Sequence, residues 1–154
     1  MLYNNYAFSA GIASKGVNDI INNFIVAPRV APRFGYISFE WVPVAGSKVY
    51  NNIIIPHADG GNAYIDRPRK DQTRNLPDMT KTKMDSNLYY HAPDTTWMDA
   101  HFVKMRAVGS EKASLFADPM FVDPANGDFS FRDGSPALKL GIEVLDVSKM
   151  GMKK

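Results

Sequence analysis

One short pattern recurs along this chain and limits what it can fold into: a pair of Asn residues set between two apolar stretches. It stands as Leu2-Tyr3-Asn4-Asn5-Tyr6-Ala7-Phe8, as Ile20-Ile21-Asn22-Asn23-Phe24-Ile25-Val26 and as Val49-Tyr50-Asn51-Asn52-Ile53-Ile54-Ile55. A degenerate copy follows as Met84-Asp85-Ser86-Asn87-Leu88-Tyr89-Tyr90. The second Asn is the fixed mark, and successive ones lie 18, 29 and 35 residues apart (5 to 23, 23 to 52, 52 to 87). Repeats of this order belong to stacked architectures in which each unit contacts its neighbours, and loops on β-coils absorb uneven spacing better than helical repeats do.

Within each copy, β-branched and aromatic residues flank the Asn pair, which predicts a short strand, a tight polar corner and a second strand. Asn suits the corner because it tolerates left-handed backbone and bonds locally. Stacked in register, equivalent Asn amides are expected to hydrogen-bond from one copy to the next as a ladder, which satisfies them even when they face inward.

Between the third and fourth copies, Pro56 to Met84 carries Gly60, Gly61, Pro68, Pro77 and dense charge, and reads as a long excursion. Further on, Thr96-Trp97-Met98-Asp99 has the form of a capping box, and Met98, Phe102 and Met105 fall at helical spacing before Gly109. The tail Ala117 to Phe131 reads as strand, Asn126-Gly127 turn and strand; Ser135-Pro136 then reads as an N-cap and first helical position.

In this tail, Asp118-Pro119-Met120-Phe121-Val122-Asp123-Pro124, Gly127-Asp128-Phe129 and Gly134-Ser135-Pro136-Ala137 resemble the C-terminal end of right-handed parallel β-helix proteins of the pectate-lyase-like superfamily. The Asn-Asn copies are similar to the coils of the same proteins. The resemblance implies an all-β fold, a right-handed parallel β-helix of about four to six coils with one short helix and a C-terminal capping segment. It implies a single domain over 1–154, with coils in 1–92 and the helix and cap in 93–154.

The same resemblance implies a carbohydrate-active protein, part of a glycoside hydrolase or polysaccharide lyase that degrades a polysaccharide. The alternative, from a different class, is a non-catalytic carbohydrate-binding or structural segment of such a β-helix. Members are usually much longer, so a chain whose Met1 already lies in a strand-like copy is expected to be a piece of a secreted or periplasmic parent. An uncapped first coil would then offer an open edge for self-association.

Composition narrows the alternatives. The 18 basic and 16 acidic side chains are interspersed, which describes a solvated surface and gives no basic patch for nucleic acid. Apolar runs are only a few residues long, against the roughly 18 that a spanning helix needs. The opening twenty residues have neither a basic start nor an apolar central stretch, so no signal peptide is readable. There are no cysteines, hence no disulfide, thiolate metal site or cysteine nucleophile. His57, His91 and His101 are too far apart for a local metal motif, and neither a metal nor a cofactor is expected, apart from Ca²⁺ under the lyase reading.

Two places carry chemistry. A hydrolase needs two carboxylates roughly 5 to 10 Å apart, one with a raised pKa. Glu40, in Phe39-Glu40-Trp41, either faces solvent or sits against aromatic rings that would raise its pKa. A lyase needs a cation or Ca²⁺ to neutralise a uronate carboxylate and a base to take the adjacent proton, roles open to Arg67, Arg69 or Lys70 with Asp59 and Asp66. The catalytic candidates are therefore Glu40, Asp59, Asp66 and Arg67; those for saccharide binding are Trp41, His57, Tyr64, Arg69 and Lys70, as stacking platforms and charged forks. The aspartates at 118, 123, 128 and 133 recur every fifth residue, but their Pro and Gly neighbours point to turn roles.

Overall fold

A computed structural model describes residues 2–3, 6–7, 11–26 and 35–145. The Asn4-Asn5 corner, and with it the proposed N-terminal self-association, lies outside the described residues. Each Asn-centred copy becomes two strands, and the first three add a third further on: β1 (Leu2–Tyr3), β2 (Tyr6–Ala7) and β3 (Ile12–Ser14), then β4 (Asp19–Ile21), β5 (Phe24–Val26) and β6 (Ile37–Glu40). The series continues with β7 (Lys48–Tyr50), β8 (Ile53–Ile55), β9 (Tyr64–Arg67), β10 (Lys83–Asp85), β11 (Leu88–Tyr89) and β12 (Leu115–Phe116).

These strands make three parallel sheets. Sheet 1 has the order β1-β4-β7-β10, sheet 2 has β2-β5-β8-β11-β12 and sheet 3 has β3-β6-β9. The registers keep like with like: Ile20, Val49 and Met84 align in sheet 1, and Ile25, Ile54 and Tyr89 in sheet 2. The fold is thus mostly β, with few helices and with parallel sheets, an arrangement compatible with a β-helix. Within Pro56 to Met84, read from sequence as an excursion, β9 returns to pair with β6 along four residues.

The Asn ladder is present and buried. Asn52 Oδ1 accepts from both the backbone and the side-chain N–H of Asn23, and Asn87 Oδ1 does the same for Asn52. The amides of Asn52 and Asn87 also donate to the Ile20 and Val49 carbonyls. Ser114 takes the next rung, its Oγ accepting from the Asn87 N–H at 2.9 Å. The preceding corner residues, Asn22, Asn51 and Ser86, hold φ of 52°, 58° and 55°, the left-handed backbone that makes the bend.

Two apolar clusters lie on opposite faces of sheet 2. Ile25, Ile54 and Tyr89 face the interior that all three sheets enclose, with Ile20, Val49, Met84, Ile37 and Phe39. Phe24, Ile53 and Leu88 face the other way and are covered by the tail. There, β13 (Phe121–Asp123) and β14 (Asp128–Phe131) form an antiparallel hairpin whose turn closes at Gly127, φ 84°. The hairpin lays Phe121 and Phe131 against Phe24. Short α2 (Pro136–Lys139) follows, with Ser135 as N-cap, as the sequence predicts.

The tail is strapped down by the outward-facing corner Asn residues. Asn22 exchanges two hydrogen bonds with the Glu143 backbone, and Asn51 donates to the Leu140 carbonyl at 2.7 Å. The segment expected as a C-terminal cap therefore runs back along the side of sheet 2. α1 (Asp99–Ala107) packs on the interior through Phe102 and Met105, with Met98 just before it. The capping box at its start is not formed: Met98 is the N-cap without a side-chain bond, while Thr96 is held by Asp94. The tail aspartates take turn roles, Asp118 accepting from Met120 and Asp123 from Asn126.

Candidate functional site

Parallel pairing of β6 with β9 puts Glu40 directly opposite Arg67, and strand alternation turns both away from the interior. Arg67 Nη1 donates to Glu40 Oε1 at 2.9 Å and Ser38 Oγ donates to the same oxygen at 3.0 Å. The Glu40 side chain is 7% exposed. Its desolvation pushes the carboxyl pKa up, but the hydrogen bonds from Arg67 and Ser38 and the charges of Arg67 and Lys15 outweigh this and hold it below its ordinary value. Neither sequence expectation for Glu40 describes this state, because a buried carboxylate beside a guanidinium is neither solvated nor protonated by apolar surroundings.

The next residue, Trp41, has φ of 69° and donates its N–H to the Arg67 carbonyl. Lys15 Nζ sits 3.9 Å from the Trp41 ring centroid and the Arg69 guanidinium 5.3 Å from it. Gln72 fixes the loop beyond: its Oε1 accepts from Arg69 N and its Nε2 contacts the carbonyls of Trp41, Arg74 and Asn75. The structure thus brings together Glu40, Trp41, Arg67 and Arg69, adding Lys15, Ser38 and Gln72, which sequence reasoning passed over. One face of the molecule therefore carries a buried carboxylate with a lowered pKa, three cations and an indole.

The remaining candidates lie elsewhere. Tyr64 and Asp66 alternate with Arg67 and so turn inward. Burial pushes the Asp66 carboxyl up despite the hydrogen bond it accepts from Met79 N and the nearby Lys104. Tyr64 is buried, its hydroxyl 2.7 Å from that of Tyr89. His57 Nδ1 accepts from Asp59 N at 3.2 Å and lies 3.2 Å from Asp59 Oδ2, close to Tyr36, whose hydroxyl accepts from His57 N and donates to the Gly60 carbonyl. Tyr36 precedes Glu40 by four residues of strand, about 13 Å, so Asp59 and Glu40 occupy opposite ends of sheet 3. Lys70 is exposed. Among the described residues, no group of three or more His, Asp or Glu side chains is placed to hold a metal.

A second polar cluster was not anticipated. Glu111, fully buried with φ of 56°, accepts from the Tyr89 hydroxyl at 2.6 Å, and His101 Nε2 lies 3.2 Å from the same oxygen. Because Tyr89 donates to Glu111, the Tyr64 hydroxyl must donate to Tyr89, giving an ordered chain Tyr64, Tyr89, Glu111. Burial and the nearby Glu111 charge push both phenols well above their ordinary value. The His101 ring stacks on Tyr64 at 4.7 Å between centroids.

Beside it, Gly61, Asn62, Tyr64, Trp97, Ala100 and His101 line a pocket of about 240 Å³. Trp97 is fixed by its indole bond to the Gly61 carbonyl and by edge contacts with Tyr36 and His91. His91 is itself buried, with Nε2 against the Ala58 carbonyl and Nδ1 lacking a hydrogen-bond partner among the described residues.

Compared with known proteins, the chain matches no family model, no curated protein and no solved structure.

Proposed function

We propose that this chain is part of a right-handed parallel β-helix protein, related in architecture to the pectate-lyase-like superfamily, that acts on a polysaccharide, and that the outer face of sheet 3 binds an acidic saccharide. The β-helix reading is supported by three parallel sheets filled in chain order and by the Asn ladder that joins successive copies.

One observation carries the binding reading: Arg67 and Ser38 hold Glu40 ionised beside Trp41, while Lys15 and Arg69 stay at the indole, where their charges meet a uronate carboxylate as its ring packs on the surface. A general acid must keep its proton near the working pH, and a carboxyl lowered by an ion pair does not. Of the two readings, a non-catalytic binding segment therefore fits this face better than a hydrolase centre. A lyase in the parent protein would use the same cations, or Ca²⁺, to neutralise the uronate.

The test is to titrate the folded chain with polyuronates and with neutral glucans, with and without Ca²⁺, following binding, reducing ends and the ultraviolet absorbance of unsaturated uronates. Polyuronate binding that weakens with salt, and by roughly tenfold in Lys15→Ala/Arg69→Ala, is the expected outcome. Binding unaffected by that double variant removes this face from the reading; product formation replaces the non-catalytic reading with hydrolase or lyase.

A further inference from the structure

Nothing in the reading of sheet 3 uses the pocket at the start of α1, and its chemistry is different. Its walls are an indole, an imidazole, a buried phenol and the exposed Asn62 amide, with no Lys or Arg among the lining residues. At about 240 Å³ it lies below the roughly 300 Å³ at which drug-sized sites begin, a size for one small ring. The Trp97 wall is held from three sides, so the pocket is formed before a ligand arrives.

The imidazole is oriented as well. Glu111 Oε1 already accepts the Tyr89 hydroxyl, so the His101 contact to it is an Nε2–H donating to the same oxygen. In the neutral ring that assignment leaves Nδ1 as an acceptor, and Nδ1 has no protein partner among the described residues. Here a buried carboxylate fixes the orientation of a histidine that lines the pocket. Strained backbone at Glu111, φ 56°, is a cost such a position carries when the surroundings demand it.

From this geometry we infer that the Trp97–His101 pocket is a second ligand site, taking a single neutral, hydroxyl-bearing sugar ring. A ring hydroxyl donates to His101 Nδ1, the Asn62 amide bonds a neighbouring hydroxyl, and the apolar side of the ring packs on Trp97. An acidic sugar binds less well here, because no cation lines the pocket to offset the desolvation of its carboxylate. The site needs no chemistry at sheet 3 and stands whether or not that face binds uronates.

The experiment is a titration of the whole chain with glucose, galactose and mannose, and with glucuronate for comparison, followed by the amide and indole NMR signals. Saturating shifts of the Trp97 indole and of Asn62 are expected with at least one neutral hexose. They should vanish in Ala100→Trp, which fills the pocket from an exposed position, and His101→Gln should weaken binding roughly three- to tenfold while a Gln amide keeps the bond to Glu111. No saturating shifts in the folded chain, shifts that survive Ala100→Trp, or equal binding of glucuronate would each overturn the inference. Absence of polyuronate binding to the unaltered chain, with hexose binding intact, would count against the sheet 3 reading alone.

Discussion

Glu40 and Glu111 are both buried glutamates, and the molecule solves the problem of each in a different way. Glu40 stands on the outside of sheet 3 against a guanidinium, with an ammonium near, so its charge is balanced by charge. Glu111 stands at the closed end of the interior against two phenols in series, an Asn amide and an imidazole, so it is held mainly by hydrogen-bond donors. The first arrangement loses its purpose when one cation goes; the second is a network, in which the loss of one member leaves several buried groups without partners. The first leaves its cations near the surface, whereas the second fixes the orientation of the side chains around it.

Removing Glu111 should have the largest effect on this contrast. Glu111→Ala strands the Tyr89 hydroxyl and His101 Nε2 in the interior and is expected to cost about 3–5 kcal/mol in chemical denaturation. Arg67→Ala, at a pair whose cation is one-third exposed, should cost only about 1–2 kcal/mol. If the two variants unfold at the same denaturant concentration, the distinction between network and pair is wrong.

The smallest effect is one of pH. Glu40 is lowered in the folded state, so the stability it contributes is present above the unfolded-state pKa and is lost as pH falls through the folded one, below the ordinary glutamate range. Asp66 is raised and acts in the opposite sense, costing stability once pH rises past the unfolded-state value and relieving that cost on acidification. Denaturation followed from pH 6 downward should therefore show, roughly, a shallow acid loss in the parent chain that flattens in Arg67→Ala and steepens in Asp66→Asn.

What could be read in the sequence was whatever repeats or acts locally. The Asn ladder was legible because the same residue, in the same apolar frame, marks each corner, and a buried amide that recurs must find its partner in the next copy. Glu40 and Arg67 were each singled out, yet their pairing depends on β9 returning beside β6, which the Pro- and Gly-rich stretch around it concealed. Glu111 had no such signal. In Gly109-Ser110-Glu111-Lys112 it looks like a solvated turn after a helix, and only the left-handed backbone at Glu111 and the return of the chain to Met84 turn it inward. The tail's strand, turn and N-cap were legible from Pro, Gly and Ser chemistry, but where it docks was not, because Phe24, Ile53 and Leu88 alternate with interior residues that are equally apolar.

The docking of that tail has a consequence for how the chain is made. Glu143 closes on Asn22 across 121 residues of sequence, and Phe121, Phe129 and Ile142 cover a stripe that the earlier strands have already laid down. During synthesis the stripe is left bare for most of the time that the sheets take to assemble, and non-local closure of this kind comes late. The repeats can stack as they emerge, but the side of sheet 2 is covered only by residues 121–145, and until they arrive a growing chain offers its neighbours an apolar face.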